Sequence, residues 1–139
     1  QIARNHLQSF MFDIYVKCYR YFGKHKIEGG TRQDEIFKSF VSLVHEHCAS
    51  QREVSFYADK LCISTKYLTG ICKAVTGDSA KKIIDDFAIL KIKVLLQSTE
   101  LTVQEIADRL HFPDQSYLGR YFKRHEGMSP KEYQSKYSI

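Results

Sequence analysis

Ala58-Asp59-Lys60-Leu61, followed by Tyr67-Leu68, Gly77 and Ser79, returns later in the chain as Ala107-Asp108-Arg109-Leu110, Tyr117-Leu118, Gly127 and Ser129. The second copy lies 49 residues on at the alanine and 50 from the Tyr-Leu pair onward, so its turn holds one more residue. Each copy reads as a short helix, a tight turn and a longer helix, because its apolar residues recur at the helical period rather than alternating. Two such units in one chain can set two helices into two stretches of DNA major groove.

Within the first copy the spacing predicts a helix over 54–61 with Tyr57, Ala58 and Leu61 inward. Cys62-Ile63-Ser64 is the turn, and Ser64 or Thr65 can cap the next helix. That helix runs to about residue 76, where Gly77 can end it in a left-handed conformation. The second copy opens with Thr102-Val103-Gln104-Glu105, a capping box, and places Ile106, Ala107 and Leu110 inward. Its turn is His111-Phe112-Pro113-Asp114, its longer helix spans about 115–126, and Gly127 closes it. Ser129-Pro130-Lys131-Glu132 is another capping box, with proline at the first helical position, starting a final short helix that ends near residue 137. Between the copies, residues 79–97 read as one helix with Ile83, Ile84, Phe87, Leu90, Val94 and Leu95 on its apolar side, a strut of about 27 Å at 1.5 Å per residue.

In the two longer helices, Tyr67, Leu68, Ile71 and Cys72, and Tyr117, Leu118, Tyr121 and Phe122, are expected to point inward as core. The opposite faces carry Thr65, Lys66, Thr69, Gly70 and Lys73, and Gln115, Ser116, Gly119, Arg120 and Lys123. These faces are polar, lightly basic and interrupted by glycine, which suits a helix lying in a groove. Arg or Lys can pair with guanine edges, Gln with adenine and Thr methyls with thymine methyls. The expected base readers are therefore Thr65, Lys66, Thr69, Gln115 and Arg120. The expected phosphate contacts are Ser64, Lys73, Thr102, Ser116, Lys123 and Ser129. Glycine costs a helix about 1 kcal/mol against alanine, and close backbone approach to a phosphate or base is what can offset that cost. Either face alone would read as an ordinary solvated surface; the DNA reading rests on finding both in matched frames.

Upstream, residues 33–48 read as a helix with Phe37, Phe40, Val41 and Val44 inward. His45 and His47 are two apart and diverge, so they cannot share a metal on one face. Residues 5–22 read as another helix, with a seam of Leu7, Met11, Ile14, Cys18 and Tyr21 beside a second stripe of Phe12, Tyr15, Tyr19 and Phe22. A helix this widely apolar needs more than one neighbour. Self-association through the seam is expected, with docking on a preceding domain or on the chain's own later helices as the competing readings. Gly29-Gly30 marks a turn or linker.

The charge balance, 21 basic against 16 acidic residues, gives a net +5, which alone argues only weakly for nucleic acid. Cys18, Cys48, Cys62 and Cys72 lack metal-like spacing and read as buried free thiols of a reducing cytoplasm. No stretch approaches the ~18 apolar residues of a membrane span, and no signal peptide is visible. No cofactor is called for. Catalysis is disfavoured: there is no glycine-rich phosphate loop, and Asp85 and Asp86, adjacent on a helix, diverge.

One family carries the same residues. Ile106-Ala107-Asp108-Arg109-Leu110, then Phe112-Pro113-Asp114-Gln115-Ser116-Tyr117-Leu118-Gly119-Arg120-Tyr121-Phe122-Lys123-Arg124, then Gly127-Met128-Ser129-Pro130-Lys131-Glu132-Tyr133 resemble the DNA-binding domain of AraC/XylS-type transcriptional regulators. The likeness covers about residues 36–137. It implies an all-α fold of two helix-turn-helix subdomains joined by a long linker helix, with 64–75 and 115–123 as recognition helices. It also implies that the N-terminal helix ends a sensor or dimerisation region; the chain starts in a helical pattern without an initiating methionine. The expected organisation is 1–30 as that helix and linker, and 31–139 as the DNA-binding domain, divided at 31–78, 79–97 and 98–139. Three positions depart from the family pattern. His111 stands where glycine is usual, and a left-handed turn is harder for histidine. Gln134 stands where arginine is frequent, and Leu118 where phenylalanine is common.

The function this implies is a sequence-specific transcription regulator acting on double-stranded DNA. The partners expected with it are a second copy through the N-terminal helix and RNA polymerase. The alternative is a helical protein-interaction module that does not touch DNA; it leaves both polar faces unexplained.

Overall fold

The computed structural model of the chain describes residues 31–98 and 100–137. The expected helix at 5–22, with Leu7, Met11, Ile14, Cys18 and Tyr21, lies outside them. Among the described residues there are seven helices and no strand: α1 (Arg32–His47), α2 (Val54–Lys60), α3 (Thr65–Thr76), α4 (Ala80–Ser98), α5 (Val103–Arg109), α6 (Gln115–Glu126) and α7 (Pro130–Tyr137).

Local chemistry starts and stops these helices. Thr31 and Thr102 each form a reciprocal capping box, with Asp34 and Glu105, that satisfies orphan N–H groups at the heads of α1 and α5. Ser64 and Asp114 cap α3 and α6 by accepting from the Tyr67 and Tyr117 backbone N–H groups at 3.0 and 2.8 Å. Ser129 Oγ accepts from Glu132 N–H at 3.1 Å ahead of Pro130, which needs no N–H at the first helical position. Gly77 and Gly127 close α3 and α6 with φ of 83° and 81°.

The described residues fall into two compact units, 31–88 in one and 89–98 with 100–137 in the other. In the first, Phe37, Phe40, Val41 and Val44 of α1 meet Tyr57 and Ala58 of α2, Leu68, Ile71 and Cys72 of α3, and Ala80, Ile83, Ile84 and Phe87 of α4. Phe40 and Tyr57 cross edge-to-face at 5.7 Å, and the Tyr57 hydroxyl donates to the Gln51 carbonyl at 2.6 Å. Burial pushes the Cys72 thiol up to about 12 and the Tyr57 phenol well above its ordinary value.

In the second unit the buried residues include Ile89, Ile92 and Leu96 of α4, Ile106 and Ala107 of α5, Leu110 and Phe112 of the turn, Leu118, Tyr121 and Phe122 of α6, and Pro130 and Tyr133 of α7. Lys93 pairs with Glu126 at 2.8 Å. Gln97 donates to the Tyr133 hydroxyl at 3.3 Å. Gln134, the departure in the last helix, makes a structural contact: its amide donates to the Leu96 carbonyl at 3.3 Å, near the end of α4.

Two expectations about burial change. In the second half of α4 the buried stripe is Ile89, Ile92 and Leu96, whereas Leu90, Val94 and Leu95 are only half-buried. Each half of α4 packs into the core of its own unit, so the stripe predicted along the whole helix holds for Ile83, Ile84 and Phe87 and not for the second half. Cys62 is exposed rather than buried, while Cys48 and Cys72 are buried, all three as free thiols.

Candidate nucleic-acid interface

The turn between α2 and α3 is set by its hydrogen bonds. Cys62 N–H donates to the Asp59 carbonyl at 3.1 Å and Ile63 N–H to the Ala58 carbonyl at 3.0 Å. In the turn between α5 and α6, His111 N–H donates to Asp108 at 3.3 Å and Phe112 N–H to Ala107 at 2.9 Å. Both are Schellman closures, in which the residue after the C-cap must be left-handed. Cys62 and His111 fill that place with φ of 57° and 58°. Histidine therefore adopts the turn that glycine would make with less strain, and Cys62 does the same in the first unit. The left-handed backbone also accounts for the exposed thiol, since the turn carries it away from the core. Ile63 packs against the first core and Phe112 is buried in the second. Pro113 is the extra residue before the cap.

Each longer helix then presents a buried and an open side. On α3, Leu68, Ile71 and Cys72 are buried, whereas Thr65, Lys66, Gly70 and Lys73 are exposed and Thr69 is half-buried at the border. On α6, Leu118, Tyr121 and Phe122 are buried, and Gln115, Ser116, Arg120, Lys123 and Arg124 are exposed. The fold thus brings Lys66, Gly70 and Lys73 onto one face, and Ser116, Arg120 and Lys123 onto the equivalent face, since residues three or four apart are helix-surface neighbours. Thr102 and Ser129 stand elsewhere, at the heads of α5 and α7, Thr102 exposed and Ser129 half-buried. Ser64 is exposed, and its oxygen is engaged in capping.

Tyr67 and Tyr117 are a correction. Expected in the core, they are 42% and 46% exposed. Both sit in the first turn of their helix, about 100° around from the buried leucine that follows. In each unit the apolar residue of the preceding turn packs on the core, Ile63 in the first and Phe112 in the second. Phe112 lies 6.0 Å from the Tyr117 ring, and the Arg120 guanidinium lies 6.0 Å from that ring on the same helix. Arg124, passed over in the sequence, stacks 5.8 Å from Tyr121 and adds a third cation beside Arg120 and Lys123. The repeated tyrosine was the available signal: Leu68-Ile71-Cys72 already completes a core stripe without it.

Neither helical glycine is demanded by the chain's own packing. A Cβ placed at Gly70 or Gly119 would meet nothing within 4 Å. Among the described residues no group of three His, Cys, Asp or Glu side chains is placed to hold a metal, and no helix is long and apolar enough to cross a membrane.

Two left-handed turns, each feeding a capped helix with a cationic outer face, define a double helix-turn-helix protein. A family model described as "Helix-turn-helix domain" matches residues 57–136, and the chain belongs to that family, that of the AraC/XylS-type regulators. Among curated proteins it is similar to the arabinose operon regulatory protein of Salmonella typhimurium, 28% identical over 93 residues, 66% of this chain and 33% of the relative. It is similar to the solved C-terminal domain of AraT, a response regulator from Geobacillus stearothermophilus, with a TM-score of 0.71 and 28% identity over 78% of this chain and 91% of that one. The DNA-binding domain of AdpA, solved in complex with a target DNA, shares the fold at a TM-score of 0.64 and 24% identity, covering 78% of this chain and 94% of that domain. The chain spans about a third of the length of the curated relatives it matches.

Proposed function

We propose that this chain is the sequence-specific DNA-binding part of a cytoplasmic transcription regulator, that it carries no catalytic activity, and that α3 and α6 enter consecutive major-groove segments of one duplex. The observation that supports this best is the match between the two units: the same Schellman turn, the same capped helix and a cationic face opposite the core in each. Thr65, Lys66, Thr69, Gln115 and Arg120 are the base readers in this reading. Ser64, Lys73, Thr102, Ser116, Lys123 and Ser129 hold phosphates, the last of these with α7's first turn behind it. The domain organisation is 1–30, then 31–78, 79–97 and 98–139. Residues 5–22 pair two copies, and the assembled regulator engages RNA polymerase.

Selection of bound fragments from a random DNA pool, followed by footprinting, tests the central claim. The expected footprint covers roughly two helical turns, and affinity falls steeply with salt as several phosphates are neutralised. A salt-independent affinity, or protection of a single half-turn, would favour a protein-interaction module instead. Sedimentation of the intact chain and of a chain starting at Thr31 tests pairing; a monomer in both cases removes the dimer.

A further inference from the structure

The exposed face of α3 is notched. A depression of about 410 Å³ is lined by Gln33, Ser64, Lys66, Tyr67, Gly70 and Ile71. Its Gly70 position is bare backbone that no neighbour fills, since a Cβ there would meet nothing within 4 Å. Gln33 comes from the first turn of α1, so the notch joins a helix outside the helix-turn-helix to the recognition helix. Tyr67, 42% exposed, stands at its edge.

The chemistry around the notch is one-sided. The Gln33 amide, the Ser64 hydroxyl, the Lys66 ammonium and the Tyr67 phenol can all donate, and no acidic side chain lines it. The Ser64 oxygen already accepts from the Tyr67 backbone N–H at 3.0 Å, which leaves its hydrogen to donate to another acceptor. The lining surface is mostly apolar, Ile71 included, and these donors supply its polar part; with bare backbone at Gly70 they suit an oxyanion that approaches the helix closely. In α6 the position equivalent to Gly70 carries Arg120, with its guanidinium beside Tyr117, so the second face is built differently.

We infer that the notch seats a backbone phosphodiester of the bound duplex, with Gln33 and Tyr67 as added hydrogen-bond donors and Gly70 as the point of closest approach. This rests on the DNA-binding reading above and extends it to α1. It makes Gly70 a functional glycine: the helix is weaker for it, and the strand comes nearer.

The test uses the intact chain and the duplex it selects, with three variants, Gln33→Ala, Tyr67→Phe and Gly70→Ala. Tyr67→Phe keeps the ring and removes the donor. Gly70→Ala meets no clash and raises the unfolding midpoint by roughly 4 °C through helix propensity, so weaker binding by that variant cannot be blamed on misfolding. Gln33→Ala and Tyr67→Phe should each bind roughly three- to tenfold more weakly, the loss expected for one hydrogen bond; Gly70→Ala should bind more weakly because its added methyl holds the strand off the helix. Ethylation of one particular phosphate should block the wild-type chain and make little further difference to Gln33→Ala and Tyr67→Phe. Wild-type affinity in all three variants, or an unchanged ethylation pattern, overturns the inference while leaving DNA binding intact. If millimolar inorganic phosphate saturates the Gly70 amide signal and the ethylation pattern does not respond to the variants, the notch is a small-anion site and the inference also fails. If the wild-type chain selects no duplex at all, the functional reading itself is wrong.

Discussion

The two helix-turn-helix units share a backbone plan and differ in where they put charge. α3 begins behind a neutral cap, Ser64, and carries Lys66 in its first turn, bare Gly70 in its second and Lys73 in its third. α6 begins behind a carboxylate, Asp114, and carries Ser116, Arg120 and Lys123 at the equivalent places, followed by Arg124. The helix N-terminus holds partial positive charge. A neutral cap leaves that charge available to an outside anion, whereas Asp114 consumes part of it. In the proposed reading the first helix holds phosphate at its head and comes close at Gly70. The second carries its cations further along, at Arg120, Lys123 and Arg124, with the Arg120 guanidinium beside the Tyr117 ring. Matching backbones have been given different contact chemistry, so the two units are expected to fail differently when perturbed.

The largest effect is expected from the residues they share. Leu68 and Leu118 are fully buried at equivalent positions. Leu68→Ala or Leu118→Ala should each destabilise the chain by about 3 kcal/mol, measured by urea unfolding. A cost below about 1 kcal/mol at either position would break the claim that the two cores are built alike. Next comes Arg120→Ala, which should cost ~1–3 kcal/mol on the selected duplex and relax preference at one base step. Equal weakening on selected and random duplex would remove Arg120 from the base readers. Lys73→Ala and Lys123→Ala should act alike despite their different neighbours, weakening all sequences uniformly and lowering the salt slope by about one. A change in sequence preference from either would show that the lysine touches a base.

The smallest effect concerns the turn. Cys62 is exposed with φ of 57°, so Cys62→Gly should stabilise the chain by about 0.5–1 kcal/mol, the relief of left-handed strain less the entropy glycine adds to the unfolded chain. A loss of stability would mean that the thiol contributes more than the strain costs. The same exposure should make Cys62 alkylate ahead of Cys72 near neutral pH. The Cys72 thiol, pushed up to about 12 by burial, remains protonated there, and the thiolate is the reactive form. Peptide mapping after brief alkylation checks the order.

Much of this was legible in the residues. The repeat, the caps at Thr102 and Ser129, the glycines at 77 and 127 and the inward stripes at Leu68-Ile71-Cys72 and Leu118-Tyr121-Phe122 all follow from local rules: a capping side chain reaches only its own first turn, and a left-handed residue is marked by its type. The outward Lys66, Lys73, Arg120 and Lys123 followed as well, though Arg124 did not, because the face opposite a core stripe is set by the helical period. What local rules cannot decide is whether a position on the flank of a helix is covered, since that depends on which other segment arrives there. Tyr67 and Tyr117 stayed outside, while Ile63 and Phe112 of the preceding turns pack on the cores. The stripe predicted along α4 held through Phe87 and not beyond it, because each half packs into the core of its own unit. Gln33 came to lie beside Tyr67 and Gly70 although more than thirty residues separate them in the chain. Periodicity within a helix belongs to the sequence; the company that helix keeps is decided by packing between segments, and the notch on α3 exists only at that level.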